Sequence, residues 1–405
     1  MVHLNTLHFL KSEKITKDTT AIYFLLMFGY KLFSLFFPLF LLSKEMAFSQ
    51  VGWTYLLIYL PITIFSPLVG FLNHKINPAL LSFLGILGYG LYGLGMLFIS
   101  IKEGIDSFYI FYGLQVLLGI SAALFFVSFK GILMGSFLKK PTRSFAWFYS
   151  APFYASAIAP VVGAFLIWQF SFFTVFMVST LIHIINSLLC LFWLYKPANK
   201  LIDAGFCPYD FLQSIKGSLQ IILKKDVLPI ILISLTIIIL GGFYASFFVI
   251  FLKEVLSWTD NIILLFVSIS SLVFTPISLF IINRLSYFRP EKSLFEGGVV
   301  IGISTIFIGI LIPFLNFINL LFLDLGRILG LLSVNSVRSG VIYKKLKKYP
   351  EEGGFIDTMF QPLGIAIGSF LGGLLVGVIG FSNMFILLGT ITCLVVLIFK
   401  SNGSN

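Results

Sequence analysis

Charge is what this sequence has least of. Only 11% of its 405 residues are Asp, Glu, Lys or Arg, less than half the share in a soluble domain of ordinary composition. A hydrated exterior cannot be assembled from so few polar groups, which excludes soluble enzymes and soluble binding modules. Cysteine is nearly as scarce. Cys190, Cys207 and Cys393 are the three present, and they form neither a disulfide framework nor a CxxC metal pair. The first nineteen residues contain no apolar core of the kind a cleavable signal peptide needs, so none is expected there. DxD, HxxxxD and HExxH motifs are missing, as is a long loop that could house a catalytic centre. Neither a membrane-bound glycosyl or acyl transferase nor any other enzyme is expected, and no cofactor or metal is assigned.

What the chain has is apolar surface: 59% of its residues are hydrophobic and 48 are phenylalanine. A membrane span needs about 20 apolar residues. Runs bounded by charge, Pro or Gly predict twelve spans at 20–42, 50–72, 78–100, 108–133, 144–168, 170–195, 228–252, 260–282, 293–314, 318–343, 357–379 and 383–399. Backbone groups in lipid must be satisfied within each span, so these are helices and the fold is an all-α polytopic membrane protein. The long interruption, 196–227, carries an apolar stripe at Phe211, Leu212, Ile215, Leu219, Ile222 and Leu223, with Lys216, Lys224 and Lys225 off it. That pattern predicts a basic amphipathic helix on the membrane surface, serving as a tether or as a regulatory site.

Twelve spans put both termini on one side. Of the 27 basic residues, twenty then fall on that side, three on the other and four within spans. Such a bias orients both termini towards the cytoplasm of the plasma membrane. It also accounts for the net charge of +11 without any nucleic-acid partner.

Sliding the chain against itself gives one informative offset, 209 residues. Lys44 and Glu45 fall on Lys253 and Glu254, Pro67 on Pro276, Lys75 on Arg284, Pro141 on Pro350 and Gly163 on Gly372. Charged and proline matches carry weight because those residues are rare in this composition. The reading is two six-helix bundles of parallel topology, 1–195 and 228–405, joined by the linker 196–227. Two such bundles facing each other across a central cavity form the architecture of a secondary transporter.

The matched positions carry a family resemblance. Gly70-Phe71-Leu72-Asn73-His74-Lys75, between spans two and three, resembles the loop signature of the major facilitator superfamily, with His74 where the family has an acid. Asn283-Arg284 again keeps the base without the acid. Span five, from Ala155 through Pro160 and Gly163, is similar to the family's antiporter pattern, and Gly364, Gly368, Gly372 and Gly373 repeat it in span eleven. In span four Gln115 precedes Gly119 by four residues, where the family often has Arg. The resemblance implies a gating or conformational role for Gly70, Lys75, Arg284, Pro160, Gly163, Gly368 and Gly372. Lys75 and Arg284 would form a cytoplasmic latch, or merely anchor helix ends through dipoles and lipid phosphates. Small residues and proline allow close, bendable helix contacts, expected here between the two bundles.

Charges inside a membrane mark a pathway or a pair. Lys31 lies near the middle of span one, and its partner in the repeat is Leu240. Asp324 and Arg327 stand i, i+3 on span ten and share a face, as an internal salt bridge or as an exchanging ion or substrate site. Lys130 and Arg338, nearer the ends of their spans, are expected to snorkel to the interface, or to edge an inner cavity mouth. Gln115 and Asn335 are neutral candidates to hydrogen-bond a ligand. His183 and Asn186 share a face of span six without a third ligand, so no metal site is expected. Substrate contacts are thus assigned to Lys31, Gln115, Asp324, Arg327 and Asn335. If Arg327 neutralises Asp324, Lys31 has no protein partner, and an anionic or zwitterionic solute would supply one.

The chain therefore reads as a secondary active transporter of a small solute, working by alternating access as a monomer among membrane lipids, with a coupling ion. Export by antiport is favoured by the span-five pattern. The rival is a lipid-linked oligosaccharide flippase of the multidrug/polysaccharide exporter superfamily, which shares the size and basic loops but is not expected to repeat the Pro67/Pro276 and Lys75/Arg284 pattern. The charge bias sets a first test. Green fluorescent protein fused after residue 405 should fluoresce and alkaline phosphatase fused there should be inactive; the reverse would overturn the topology.

Overall fold

The computed structural model describes residues 2–403 except 102–107, 137, 139, 140, 171, 200–211, 214, 218, 219, 222, 225, 226, 286–289 and 347–349. Span one is the helix Val2–Ser34, continued after a turn by Phe37–Ser43. Spans two to six are Phe48–Lys75, Pro78–Ile101, Phe108–Gly135, Pro141–Gln169 and Phe172–Ala198. Span seven, Leu228–Ile250, ends in a π-helical turn, Phe251–Val255. Spans eight, nine and ten are Asp260–Leu285, Pro290–Ile310 and Phe317–Lys345. A last helix, Pro350–Gly403, runs for 54 residues. At 1.5 Å per residue it would be about 80 Å long, well over twice the hydrocarbon thickness. It is broken at Gly380, whose φ of 77° belongs to the region that glycine alone enters without strain, and so supplies spans eleven and twelve. Twelve crossings result, with breaks near those expected.

Local chemistry sets the helix starts. Spans three, five, nine and eleven all begin on proline, at Pro78, Pro141, Pro290 and Pro350. Proline suits this position because its missing N–H would be unpaired there anyway. Span ten is capped by Asn316, whose side chain accepts from the backbone N–H groups of Ile318 and Asn319, both at 3.0 Å. Within the expected surface helix, 212–213, 215–217 and 220–221 are helical, while Phe211, Leu219, Ile222, Lys225 and Cys207 lie outside the described residues.

The contacts between spans follow the 209-residue repeat. Span one packs on five and seven on eleven; three packs on six and nine on twelve; three meets four and nine meets ten. Contacts from the first six spans to the last six repeat as well: two with eleven and eight with five, four with eleven and ten with five. Phenylalanine fills the interior of each set. Tyr23 stacks on Phe148 with ring centres 4.5 Å apart, and Phe125 stacks on Phe129 at the same distance. Phe243, Phe251 and Phe385 interlock in the second set. Phe98, Phe192, Phe314 and Phe322 remain exposed and face outward, as lipid-facing side chains do.

The glycine motifs do not sit where they were expected. Gly163 lies against the carbonyl of Leu32 in span one. Gly368 lies against the carbonyl of Ile239, and Gly372 against the rings of Phe243 and Phe247, all in span seven. These contacts lie within the first six spans or within the last six, whereas the sequence reading put them between the bundles. Close approach between the sets falls instead to Gly52 on Gly373, Gly70 on the Phe355 ring and Gly340 on Thr142. A methyl group at Gly163 or Gly368 has nowhere to go, because the obstruction is backbone. Gly163→Ala or Gly368→Ala should lower stability by about 1–3 kcal/mol, read as thermal unfolding in detergent. Gly377→Ala, where nothing lies within 4 Å, should leave it unchanged.

Candidate functional site

A charge buried in a membrane protein must find a partner or be expelled. Lys130 on span four is 2% exposed and Arg338 on span ten is 0% exposed. Both converge on Asp357 of span eleven, itself fully buried. Lys130 Nζ lies 2.9 Å from Asp357 Oδ2, and Arg338 Nε lies 3.0 Å from Oδ1. Ser339 Oγ donates to Oδ2 at 2.7 Å and the Tyr149 hydroxyl donates to it at 3.0 Å. Arg338 donates further to Asn335 Oδ1 at 3.0 Å and to the Tyr149 oxygen at 3.4 Å. Lys130 Nζ also stands over the Tyr149 ring, 5.4 Å from its centre. The prolines that begin spans five and eleven set the depth: Tyr149 and Asp357 each lie about two turns inside, roughly 11 Å.

The expectation that Lys130 and Arg338 snorkel is therefore wrong. Each side chain, viewed on its own helix, could reach an interface, but together they are held inward by one carboxylate. Among the described residues no second carboxylate joins them. Two cations share one anion.

Directly beside this cluster is a cavity of about 120 Å³. Tyr23, Met27 and Tyr30 of span one face it, spaced along one side of the helix, with Ile58, Tyr59 and Ile62 of span two and Tyr89 of span three. Spans four and five add Phe126, Lys130, Phe148 and Tyr149, and span eleven closes it with Gln361, Pro362 and Ile365. The hydroxyls of Tyr23, Tyr30, Tyr59 and Tyr89 hydrogen-bond to no described residue. The cavity is thus an aromatic chamber with free phenol groups and one cation in its wall.

The five residues assigned from sequence do not line it. Lys31 sits beside Tyr30, half-buried and without a described partner. Gln115 is buried, accepts from Tyr92 at 3.4 Å and donates to the Phe111 carbonyl at 3.3 Å. Asp324 and Arg327 form the internal pair that their spacing allowed, 2.6 Å apart. Ser270 donates to Asp324 at 3.0 Å, and the Arg327 guanidinium stacks 4.1 Å over Tyr244. Gln115 and Asp324 are themselves 209 residues apart, so this second cluster occupies the repeat position of a neutral amide. Asn335 joins the Asp357 cluster through Arg338. Of the gating candidates, Pro160 and Gly70 are buried, Lys75 is exposed at the end of span two, and the Arg284 side chain lies outside the described residues. His183 is buried against Gly29, and no group of three metal-ligating residues occurs among the described residues.

Asp357 and the tyrosines escaped the sequence reading. Asp357 was the first residue of a span expected to begin there, a place where an acid faces water, but the helix starts seven residues earlier. Tyr23 and Tyr30, i and i+7 on span one with Met27 between, were a legible signal.

The cluster predicts unequal effects. Asp357→Ala leaves two buried cations without an anion and should destabilise by about 3–5 kcal/mol. Lys130→Met leaves a balanced Arg338–Asp357 pair and should cost clearly less. Lys253→Ala breaks a pair of which both members are over 40% exposed, and its effect should stay under about 1 kcal/mol. Thermal unfolding of the three variants in detergent checks the order.

Comparison with known proteins follows the same architecture. The human organic anion transporter MFSD10 (TETRAN) superposes with a TM-score of 0.70 at 13% identity, covering 96% of this chain and 99% of that one. A POT family transporter in complex with 5-aminolevulinic acid also gives 0.70 at 13% identity, covering 95% of both chains. A POT family transporter in complex with a thioalcohol-conjugated peptide gives 0.68 at 14%, covering 98% and 96%. No curated protein sequence matches this one. The Major Facilitator Superfamily profile matches residues 19–350, ending before Asp357. That match spans most of the chain and agrees with the twelve-helix fold: this protein belongs to the Major Facilitator Superfamily and is a multi-pass membrane transporter.

Proposed function

We propose that the chain carries a small solute across the plasma membrane by alternating access, as a secondary active transporter and without an enzymatic step. The observation that carries this reading is the Asp357 cluster. It fastens spans four and five to spans ten and eleven at one end of a solute-sized cavity, through polar contacts that water can replace. Residues 1–195 and 228–405 are the two rocking bundles, with 196–227 as the tether. The basic loops assign the fastened end to the cytoplasm and both termini with it, so the cluster is a cytoplasmic gate. Opening inward separates Lys130 and Tyr149 from Asp357 and hydrates them, while Arg338 stays with Asp357.

Export by antiport against a coupling ion remains the favoured direction, on the span-five pattern alone. The flippase alternative is disfavoured by the repeated Pro67/Pro276 and Lys75/Arg284 pattern and by the Major Facilitator Superfamily match over residues 19–350.

The gate can be locked. A Cβ built on Gly340 lies 3.3 Å from Thr142 Cβ, slightly inside the usual disulfide range of about 3.5–4.5 Å, so a small relaxation would allow a bridge. In a chain with Cys190, Cys207 and Cys393 replaced by serine, Thr142→Cys with Gly340→Cys should oxidise to a bridge. A reporter cysteine in the cavity wall, Ala122→Cys, added to the same chain and blocked reversibly during oxidation, is then tested in inside-out and right-side-out vesicles. An impermeant maleimide should reach it from both sides without the bridge. With the bridge it should react only from outside, and reductant should restore the inner route. Undiminished labelling from the cytoplasmic side of the bridged protein would overturn the gate.

A further inference from the structure

We propose that the chamber binds an aromatic organic anion whose carboxylate takes Lys130 over from Asp357, so that the bound solute itself loosens the cytoplasmic gate. This rests on the transport reading above and names the substrate class of that same site.

The first argument is charge. Lys130 and Arg338 bring two positive charges to one carboxylate, in a cluster whose side chains are at most 3% exposed. Among the described residues one positive charge is left over, at a site almost wholly enclosed by protein. A cationic solute would worsen that imbalance and a monoanion would remove it.

The second argument is access. Of the three charged residues only Lys130 lines the chamber. It can also leave Asp357 without stranding it, because Arg338 Nε, Ser339 Oγ and the Tyr149 hydroxyl still donate to that carboxylate. After the exchange each cation holds one anion: Arg338 holds Asp357 and Lys130 holds the solute. Arg338 and Asp357 both belong to the last six spans. The ion pair in this cluster that ties them to the first six is Lys130 to Asp357, and it is the one the solute dissolves.

The third argument is the wall. Tyr23, Tyr30, Tyr59 and Tyr89 line the chamber, and no described residue engages their hydroxyls. Phe126 and Phe148 complete an apolar slot. An aromatic wall favours an unsaturated body, and phenol O–H groups suit the second oxygen of a carboxylate. A small inorganic anion would leave the slot unfilled.

Benzoate, neutral benzamide and cationic benzamidine share one shape and separate the charge argument from size; acetate removes the ring. Affinities are measured calorimetrically on the purified full chain in detergent. Benzoate should bind at least tenfold more tightly than the other three, and Lys130→Gln should abolish that preference. Asp357→Asn removes the competitor while keeping the shape, so benzoate should bind about fivefold more tightly. A merely structural role for Asp357 would weaken binding instead. Tyr59→Phe deletes a hydroxyl without a described partner, so it should keep the unfolding temperature and weaken benzoate about threefold. Equal binding of benzamide, tighter binding of benzamidine, or weaker benzoate binding by folded Asp357→Asn would each overturn the inference. So would absence of benzoate binding in both wild type and Asp357→Asn. The cysteine-labelling result does not depend on any of these ligands, so it separates failure of the substrate class from failure of alternating access.

Discussion

Asp357 lies among helices bathed in hydrocarbon, and four spans are arranged so that its charge is answered. Lys130 comes from span four, Tyr149 from span five and Arg338 with Ser339 from span ten, all directed at one carboxylate of span eleven. The internal repeat shows how the site was divided. Lys130 matches Ser339, Phe148 matches Asp357 and Tyr149 matches Thr358, each 209 residues apart. The cluster therefore draws on repeat-related positions of both sets of spans. One copy supplies a cation where the other has a hydroxyl, and a ring where the other has the acid. The two shares are unequal. Lys130 without Asp357 would be an orphan in the first six spans, whereas Asp357 keeps Arg338 and Ser339 as partners within the last six.

Two kinds of contact divide the labour of the fold. Within the first six spans, and again within the last six, helices meet through glycine against carbonyl and through stacked rings. Dispersion of this kind falls off within a fraction of an ångström and has no substitute in lipid or water. Such contacts suit surfaces that stay together. Between the sets, close packing recurs at Gly52 on Gly373, Gly70 on Phe355 and Gly340 on Thr142, and at the fastened end it is joined by hydrogen bonds and an ion pair. Water can replace the partners of those polar contacts nearly one for one.

Much of this was legible in the sequence, and the illegible part has a common cause. Apolar runs located the spans because lipid requires about twenty such residues, and the scarce charges and prolines exposed the repeat. Pairing of Asp324 with Arg327 followed from their spacing on one helix. What failed were judgements that depend on two helices at once. Lys130 and Arg338 each had an interface within reach, so nothing on their own spans forbade snorkelling; only Asp357, from a third span, forbids it. Asp357 in turn was misplaced by an error of one or two turns at a helix start, because Pro350 begins the helix in a polar stretch that hydropathy alone assigns to a loop. The glycine pattern of span five showed that a close contact exists but could not name the partner. Of the tyrosines, Tyr23 and Tyr30 could have been found by their spacing on span one, but with 16 tyrosines beside 48 phenylalanines composition gave no reason to single out Tyr59 and Tyr89 on other spans.

The uneven count of two cations to one carboxylate has an electrical side. An excess charge about two turns inside spans five and eleven would feel part of the membrane field. Moving one elementary charge through 100 mV is worth about 2.3 kcal/mol. Under the proposed alternating access, hydrating the cluster on one side and drying it on the other would shift a fraction of that charge through the field. The balance between the proposed access states would then depend on membrane potential, and a cell's voltage would become one of the forces acting on the gate.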